Sequence, residues 1–450
     1  AILKLGAVVV PMNPAWTAAE LEYPIADADV AALITEASQI GKAREALAHS
    51  GQERVVVCTD DSDGAAAWSS LSGRTDRPPA VDLGPDDDAF VCYTSGTTGF
   101  PKGAILTHGS IRDGALGRVM ADGITWRDVM LIPVPLAFTG GCISFYMQMC
   151  LVPGATAVLE ASFDPSRVLD LIETEKVTMI TSVPVVLQML LDDPKIDTTD
   201  ISSLWSLSSG GAPVPIPLLQ EWQRRGVRMT QAYGQTETSG GCVYLNGADA
   251  ADHIGSTGRP MLHTEVRIVD ADDRDVPVGE SGQILVRGPS LMKGYLNQPE
   301  ATAAALRDGW MHTGDIGRFD EDGFLYVLDR QKDMLISGGA NVYPAEIERA
   351  LGGLPGLSDL AVIGVPDDRW GETPMIVVPH LDDVDVTKLA EVCATSLARY
   401  KHPRYLYGWG GPLPRTLSGK VQKHVLRAEA DLARAIEIRA AERDDQHHQP

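Results

Sequence analysis

Tyr93-Thr94-Ser95-Gly96-Thr97-Thr98-Gly99-Phe100-Pro101-Lys102-Gly103 follows directly on Asp88-Ala89-Phe90-Val91-Cys92, a short apolar run that reads as a buried strand. Glycine lets backbone N–H groups approach a ligand closely, and the hydroxyls and Lys102 add side-chain donors. A concave run of donors with one cation suits a polyphosphate. The spacing differs from a Walker A loop, which ends in Gly-Lys-Ser/Thr, because Lys102 follows Pro101. It also lacks the G-x-G-x-x-G dinucleotide pattern.

Outward from this loop, residues 85 to 240 alternate between strand and helix patterns. Strands are expected at 155–159, 177–183, 204–208 and 227–232. Between them run helical periods through Val168, Leu171 and Ile172, then Leu187, Leu190 and Leu191, then Leu218, Leu219 and Trp222. Asp164-Pro165 supplies an N-cap and a first-turn proline. Repeated β-α-β units predict an α/β chain with a doubly wound parallel sheet. Beyond about residue 255, short strands separated by Gly, Asp and Pro turns predict a small β-rich subdomain. A charged connector, Asp329-Arg330-Gln331-Lys332-Asp333, leads to a smaller α+β unit and a polar tail.

Composition narrows the class. The chain has 450 residues, so more than one domain is expected. It contains no apolar run long enough to span a bilayer and no signal-peptide pattern, so a cytoplasmic protein is expected. A formal charge of −23 argues against nucleic acid and anionic membranes as partners. The six cysteines lie in apolar contexts without C-x-x-C spacing, which predicts reduced core thiols rather than zinc ligands or disulfides.

Other segments carry groups suited to a nucleotide. Tyr233-Gly234-Gln235-Thr236-Glu237-Thr238 follows a strand, and its hydroxyls and carboxylate would face the phosphate loop if both left one sheet edge. Glu237 is a candidate Mg²⁺ ligand, since that ion takes few carboxylates beside phosphate oxygens; the alternative is an acid complementing a helix dipole. Gly210-Gly211-Ala212-Pro213 offers flat backbone. In His312-Thr313-Gly314-Asp315, expected just before a β-turn, Asp315 could accept hydrogen bonds from a ribose diol, and Arg330 could add a contact. Lys420, in Leu413-Pro414-Arg415-Thr416-Leu417-Ser418-Gly419-Lys420, could bring charge to a transition state. Read singly, several of these remain ordinary turns or surface charges. No Ser-His-Asp or Cys-His arrangement stands out.

Taken in order, these segments resemble the adenylate-forming superfamily, most closely its acyl-CoA synthetases acting on fatty or aryl acids. The likeness spans residues 1 to about 432, through YTSGTTGFPKG, SGGAP, YGQTET, STGRP, HTGD, DRQKDMLISGGANVYPAEIE and PRTLSGK. It implies an AMP-binding domain over 1–328, truncated at its start, with its β-rich subdomain at about 240–328. A hinge at 329–333, a mobile C-terminal domain at 334–440 and a tail at 441–450 follow.

The resemblance also implies an activity and roles. A carboxylate attacks the α-phosphate of Mg·ATP, giving acyl-adenylate and pyrophosphate, and the thiol of coenzyme A then displaces AMP. Thr94, Ser95, Gly96, Thr97, Thr98, Gly99 and Lys102 would hold the β- and γ-phosphates. Gly211, Ala212 and Pro213 would border the adenine with Tyr233 and Gly234. Thr236 would touch the α-phosphate, Glu237 would ligate Mg²⁺, and Asp315 and Arg330 would hold the ribose. Lys420 would bridge the substrate carboxylate and α-phosphate. Rotation about Lys332 would withdraw it and bring Gly338 and Gly339 to a pantetheine channel. Many members carry Pro-Leu-Phe-His where this chain has Pro135-Leu136-Ala137-Phe138, so Phe138 takes the histidine position. Ala137, Phe138, Gly210 and Gly240 are expected around a hydrophobic acyl group. Acyl transfer to a carrier protein, non-catalytic adenylate binding and a homodimer remain alternatives for acceptor, role and assembly.

Overall fold

The computed structural model describes residues 1–50, 54–60, 65–71, 80–94, 101–146, 151–152, 154–160, 162–211, 214–247, 249–250, 252–337, 340–415 and 420–438.

A seven-stranded sheet forms the centre. Its order is Arg259–Pro260, Val243–Leu245, Arg228–Tyr233, Ser206–Gly210, Met179–Ser182, Val129–Ile132 and Thr156–Leu159. The last five of these run parallel, and the first two add antiparallel. The doubly wound expectation therefore holds for the stretch from 129 to 233. The helix Pro165–Thr174 shows why the local sequence folds as it does. The Asp164 side chain accepts from the Arg167 N–H at 2.8 Å, Pro165 pre-sets the first turn, and Val168, Leu169, Leu171 and Ile172 form one buried stripe. Each such aliphatic side chain contributes ~1.5–3 kcal/mol on burial. Trp222, fully buried with Leu218 and Leu219, anchors the helix Ile216–Arg224 on the same core.

The strands flanking the phosphate loop do not join this sheet. Asp88–Thr94 and Lys102–Thr107 pair antiparallel, and Gly294–Tyr295 completes a separate three-stranded sheet. The strands before and after residues 95–100 and the Tyr233–Thr238 segment thus belong to different sheets, so the condition of one shared sheet edge is not met.

The β-rich subdomain is a five-stranded antiparallel sheet of Glu265–Val269, Gly282–Arg287, Leu306–Arg307, Trp310–Phe319 and Leu325–Arg330. His312 to Asp315 lie inside the ten-residue strand Trp310–Phe319, not in a turn approach. Asp329 and Arg330, read as connector, end the strand Leu325–Arg330 because they continue its pairing with Ile316 and Asp315. The C-terminal unit has its own six-stranded sheet, built from Leu335–Ser337, Ala340–Val342, Ala361–Asp367, Gly371–Val378, Tyr405–Gly408 and Ile436–Glu437, with helix Pro344–Leu351 packed on it. Among the described residues no helix is long and apolar enough to cross a membrane. Cys58, Cys92, Cys142, Cys242 and Cys393 are buried and unbridged, as expected for core thiols.

Candidate active site

The parallel strands of the central sheet all end at one edge, where open α/β sheets bind ligands. Val129–Ile132 has parallel neighbours on both sides: the next strand of the chain, Thr156–Leu159, lies on its outer flank and the one after, Met179–Ser182, on the opposite flank. This is a topological switch point, and Ala137, Phe138 and Thr139 follow it. Gly210 and Gly211 leave the next-but-one strand, and Tyr233, Gly234, Thr236 and Glu237 leave Arg228–Tyr233. Thr139 Oγ1 lies 2.9 Å from Thr236 Oγ1, which joins the switch-point loop to the Thr236–Thr238 turn. Gly234 is required sterically: a Cβ there would sit 1.8 Å from the carbonyl oxygen of Gly240, whose φ is +98°. The two glycines close the turn that presents Thr236 and Glu237.

A second sheet contributes the polar pair Asp315 and Arg330. They are register partners across Trp310–Phe319 and Leu325–Arg330, with Arg330 Nε 3.5 Å from Asp315 Oδ1. Tyr233 donates its hydroxyl to Asp315 Oδ2 at 2.8 Å, tying the subdomain to the central sheet. Burial raises the Asp315 pKa against the opposing effect of Arg330, Tyr233, Lys420 and Lys332.

A third sheet brings Lys102 and Tyr295 to the site. Tyr295 donates to Glu237 Oε1 at 2.8 Å, while the Lys102 ammonium sits 5.1 Å from the centre of the Tyr295 ring. Thr94, opposite Lys102 in register, donates its hydroxyl to the Lys102 carbonyl at 3.4 Å. Tyr93 donates to Asp27 Oδ2 at 2.7 Å, which fixes the loop end of the hairpin to the N-terminal segment.

Glu237 is buried on a single turn of 3-10 helix, and no group of three or more His, Cys, Asp or Glu gathers among the described residues. One buried carboxylate with a hydroxyl on only one of its oxygens fits Mg²⁺, whose remaining ligands come from phosphates and water. A preformed multi-carboxylate cage is not needed for that ion.

Lys420 enters from the C-terminal unit. Its ammonium is close enough to Asp315 and Glu237 to be favoured by them, and to Arg330 and Lys332 to be opposed. The side chain stays accessible to cleft water yet is walled by protein, and the resulting loss of hydration is the main cause of a lowered pKa. The Asp329 carboxylate accepts from the Arg330 N–H at 2.7 Å and the Ala345 N–H at 2.8 Å, bracing the first turn of Pro344–Leu351. Arg427 pairs with Asp333 at 3.0 Å, and Tyr343 and Ser281 hydroxyls meet at 3.2 Å. These contacts hold the small unit with its lysine over the site.

The structure therefore gathers Thr94, Lys102, Tyr233, Thr236, Glu237, Asp315, Arg330, Lys332 and Lys420. Ala137, Phe138, Gly210, Gly211 and Gly240 lie at the adjoining sheet edge. Ser95, Gly96, Thr97, Thr98, Gly99, Ala212, Pro213, Gly338 and Gly339 lie outside the described residues. Thr139 and Tyr295 were missed by sequence reasoning. A lone threonine and a Gly-Tyr dipeptide carry no distinctive pattern, and their roles arise from contacts 97 and 58 residues away. An open cleft of about 420 Å³ lies elsewhere, lined by Asp270, Gln283, Arg307, Gln331, Asn341 and Tyr343. Its lining includes none of Lys102, Thr236, Glu237, Asp315 or Lys420, so the candidate site is placed at the sheet edge.

Residues 1–296 match the AMP-binding enzyme family, and residues 346–420 match the AMP-binding enzyme C-terminal domain. The chain is 40% identical over 426 residues to a feruloyl-CoA synthase of Amycolatopsis sp, covering 94% of this chain and 84% of that protein. It is 36% identical over 427 residues to a long-chain-fatty-acid–CoA ligase of Mycobacterium tuberculosis, covering 95% and 84%. The fold is similar to o-succinylbenzoate coenzyme A synthetase from Bacillus subtilis in complex with ATP and magnesium ion. That comparison has a TM-score of 0.81 and 32% identity, and covers 94% of this chain and 84% of that one.

Proposed function

Since the chain belongs to the AMP-binding enzyme family, we propose that it joins a hydrophobic carboxylic acid to coenzyme A through an acyl-adenylate, consuming ATP. The observation that carries this reading is the placement of Lys420 within electrostatic reach of Glu237 and Asp315, so that one ammonium from the small unit completes a nucleotide site built on the large one.

In the first half-reaction a carboxylate oxygen attacks the α-phosphorus, and the bond to the pyrophosphate oxygen breaks. Asp315 accepts from the ribose hydroxyls and Arg330 supports it. Lys102 and the hydroxyls of the 94–99 loop hold the β- and γ-phosphates, and Thr236 holds the α-phosphate. Glu237 would hold Mg²⁺, which would supply charge neutralisation at the phosphates. Lys420 faces the α-phosphate where negative charge builds, which is where a fixed cation lowers the barrier most. In the second half-reaction the thiol sulfur attacks the acyl carbon, AMP leaves, and the thiol proton passes to solvent. A turn of the 334–440 unit about Lys332 withdraws Lys420 and presents Gly338 and Gly339 to the pantetheine arm.

The acyl group lies beside Ala137, Phe138, Gly210 and Gly240. Phe138 offers no polar hydrogen, so this wall selects apolar acids. A panel of fatty, alicyclic and aryl acids tested for coenzyme A-dependent AMP release decides the matter. Release of AMP with apolar acids is the expected result; no release with any acid sinks the reading.

A further inference from the structure

We propose that Tyr295 is a positioning residue for adenylation, its hydroxyl fixing one oxygen of Glu237 while its ring seats the ammonium of Lys102. The inference rests on the roles proposed above for those two residues.

Tyr295 is held from both sides. Its two-residue strand pairs with Lys102–Thr107, with Lys293 N–H donating to the Ile105 carbonyl at 2.9 Å and Leu296 N–H to the Gly103 carbonyl at 2.8 Å. The Met292 N–H donates to the backbone carbonyl of Glu237 at 2.8 Å, and the Tyr295 N–H donates to Thr302 Oγ1 at 2.8 Å. The same short segment is thus stitched to the strand bearing Lys102 and to the turn bearing Glu237, which belong to different sheets. Between them the side chain makes the bond to Oε1 at 2.8 Å and the ring contact at 5.1 Å.

Chemically, a hydrogen bond on Oε1 turns the carboxylate so that Oε2 is presented to a cation. Groups that orient a metal ligand in this way tune metal affinity strongly. The ring face supplies a cation–π seat that limits where the Lys102 ammonium can wander. One tyrosine thereby fixes the distance between the phosphate-binding cation and the metal-binding anion.

The test compares Tyr295→Phe, Tyr295→Leu and Glu237→Gln. Binding of Mn²⁺ to enzyme with ATP, followed by electron paramagnetic resonance without acid, reads metal affinity apart from turnover. ATP–pyrophosphate exchange reads KM for ATP at saturating Mg²⁺. Tyr295→Phe keeps the ring and is expected to weaken metal binding roughly tenfold while leaving KM for ATP unchanged. Tyr295→Leu is expected to do the same and to raise KM for ATP roughly threefold or more. If Glu237→Gln weakens metal binding and Tyr295→Phe does not, the inference is overturned and the proposed function stands. If Glu237→Gln also leaves metal binding intact, the assignment of Glu237 falls and the inference falls with it.

Discussion

Asp315 and Arg330 face each other across two adjacent strands of the β-rich subdomain, and the Asp315 carboxylate is held on its other oxygen by Tyr233 from the central sheet. The carboxylate is therefore aimed by two different sheets. Burial raises its pKa, and the Tyr233 hydroxyl bond is among the effects that oppose the rise.

Removing that hydroxyl with Tyr233→Phe should weaken ATP binding roughly ten- to hundredfold, the ordinary worth of one buried hydrogen bond to a charged group. The variant should also lose affinity at a higher pH than the wild type as the medium is acidified, because the Asp315 pKa then lies higher still. Calorimetric ATP titrations at several pH values check both points; an unmoved acid limb would refute the role given to Tyr233.

Lys420→Ala should lower ATP–pyrophosphate exchange roughly 10²–10³-fold, as loss of one transition-state donor does. Thioester formation from ready-made acyl-adenylate should persist, since the role proposed for Lys420 is confined to the first half-reaction. In the wild type the exchange rate should fall as pH rises through a value below that of an ordinary lysine, because the folded pKa is lowered and the charge is lost earlier. Equal damage to both half-reactions would contradict the assignment.

Thr139→Val keeps the shape of the side chain and removes the bond to Thr236. With Thr139 donating, the Thr236 proton is free for a phosphate oxygen. The substitution should lower adenylation kcat roughly tenfold, and Thr139→Ser should restore most of it. A valine variant with wild-type kcat would show that Thr236 needs no such partner.

Asp329 offers a stability signature. Burial raises its pKa from 3.8 to about 6. The folded pKa exceeds the unfolded one, so the cost of holding the charge is fully present above pH 6 and relieved as pH falls toward 4. That cost is on the order of 3 kcal/mol. Asp329→Asn lacks it but gives up an acceptor, a loss nearly independent of pH. Its melting temperature relative to wild type should therefore climb between pH 4 and 7 and then level off. A difference that is flat or falls over that window would count against this account.

The elements of the central sheet were legible because local rules and tertiary packing agree there. Asp164-Pro165 caps a helix whose apolar residues recur on one face, and that face is what the sheet covers. The hydroxyl–glycine–lysine density of 93–103 pointed to a phosphate by residue type, whereas Glu237 and Lys420, read singly, were equally an acid complementing a helix dipole and a loop lysine, and only the resemblance of the ordered motifs to the adenylate-forming superfamily set them beside it.

Placement was another matter. Side-chain type and period say nothing about which sheet a strand joins, because backbone pairing is the same chemistry in every sheet. The Asp88–Thr94 hairpin was therefore free to build a separate sheet with Gly294–Tyr295 rather than extend the parallel one. Asp315 and Arg330 likewise meet through a hairpin register that only long-range pairing sets. The sequence alone determined which donor, carboxylate and ammonium groups are available for a nucleotide site. The tertiary structure decided which of them touch, since contacts such as Thr139 with Thr236 and Tyr295 with Glu237 exist only once separate sheets are packed against one another.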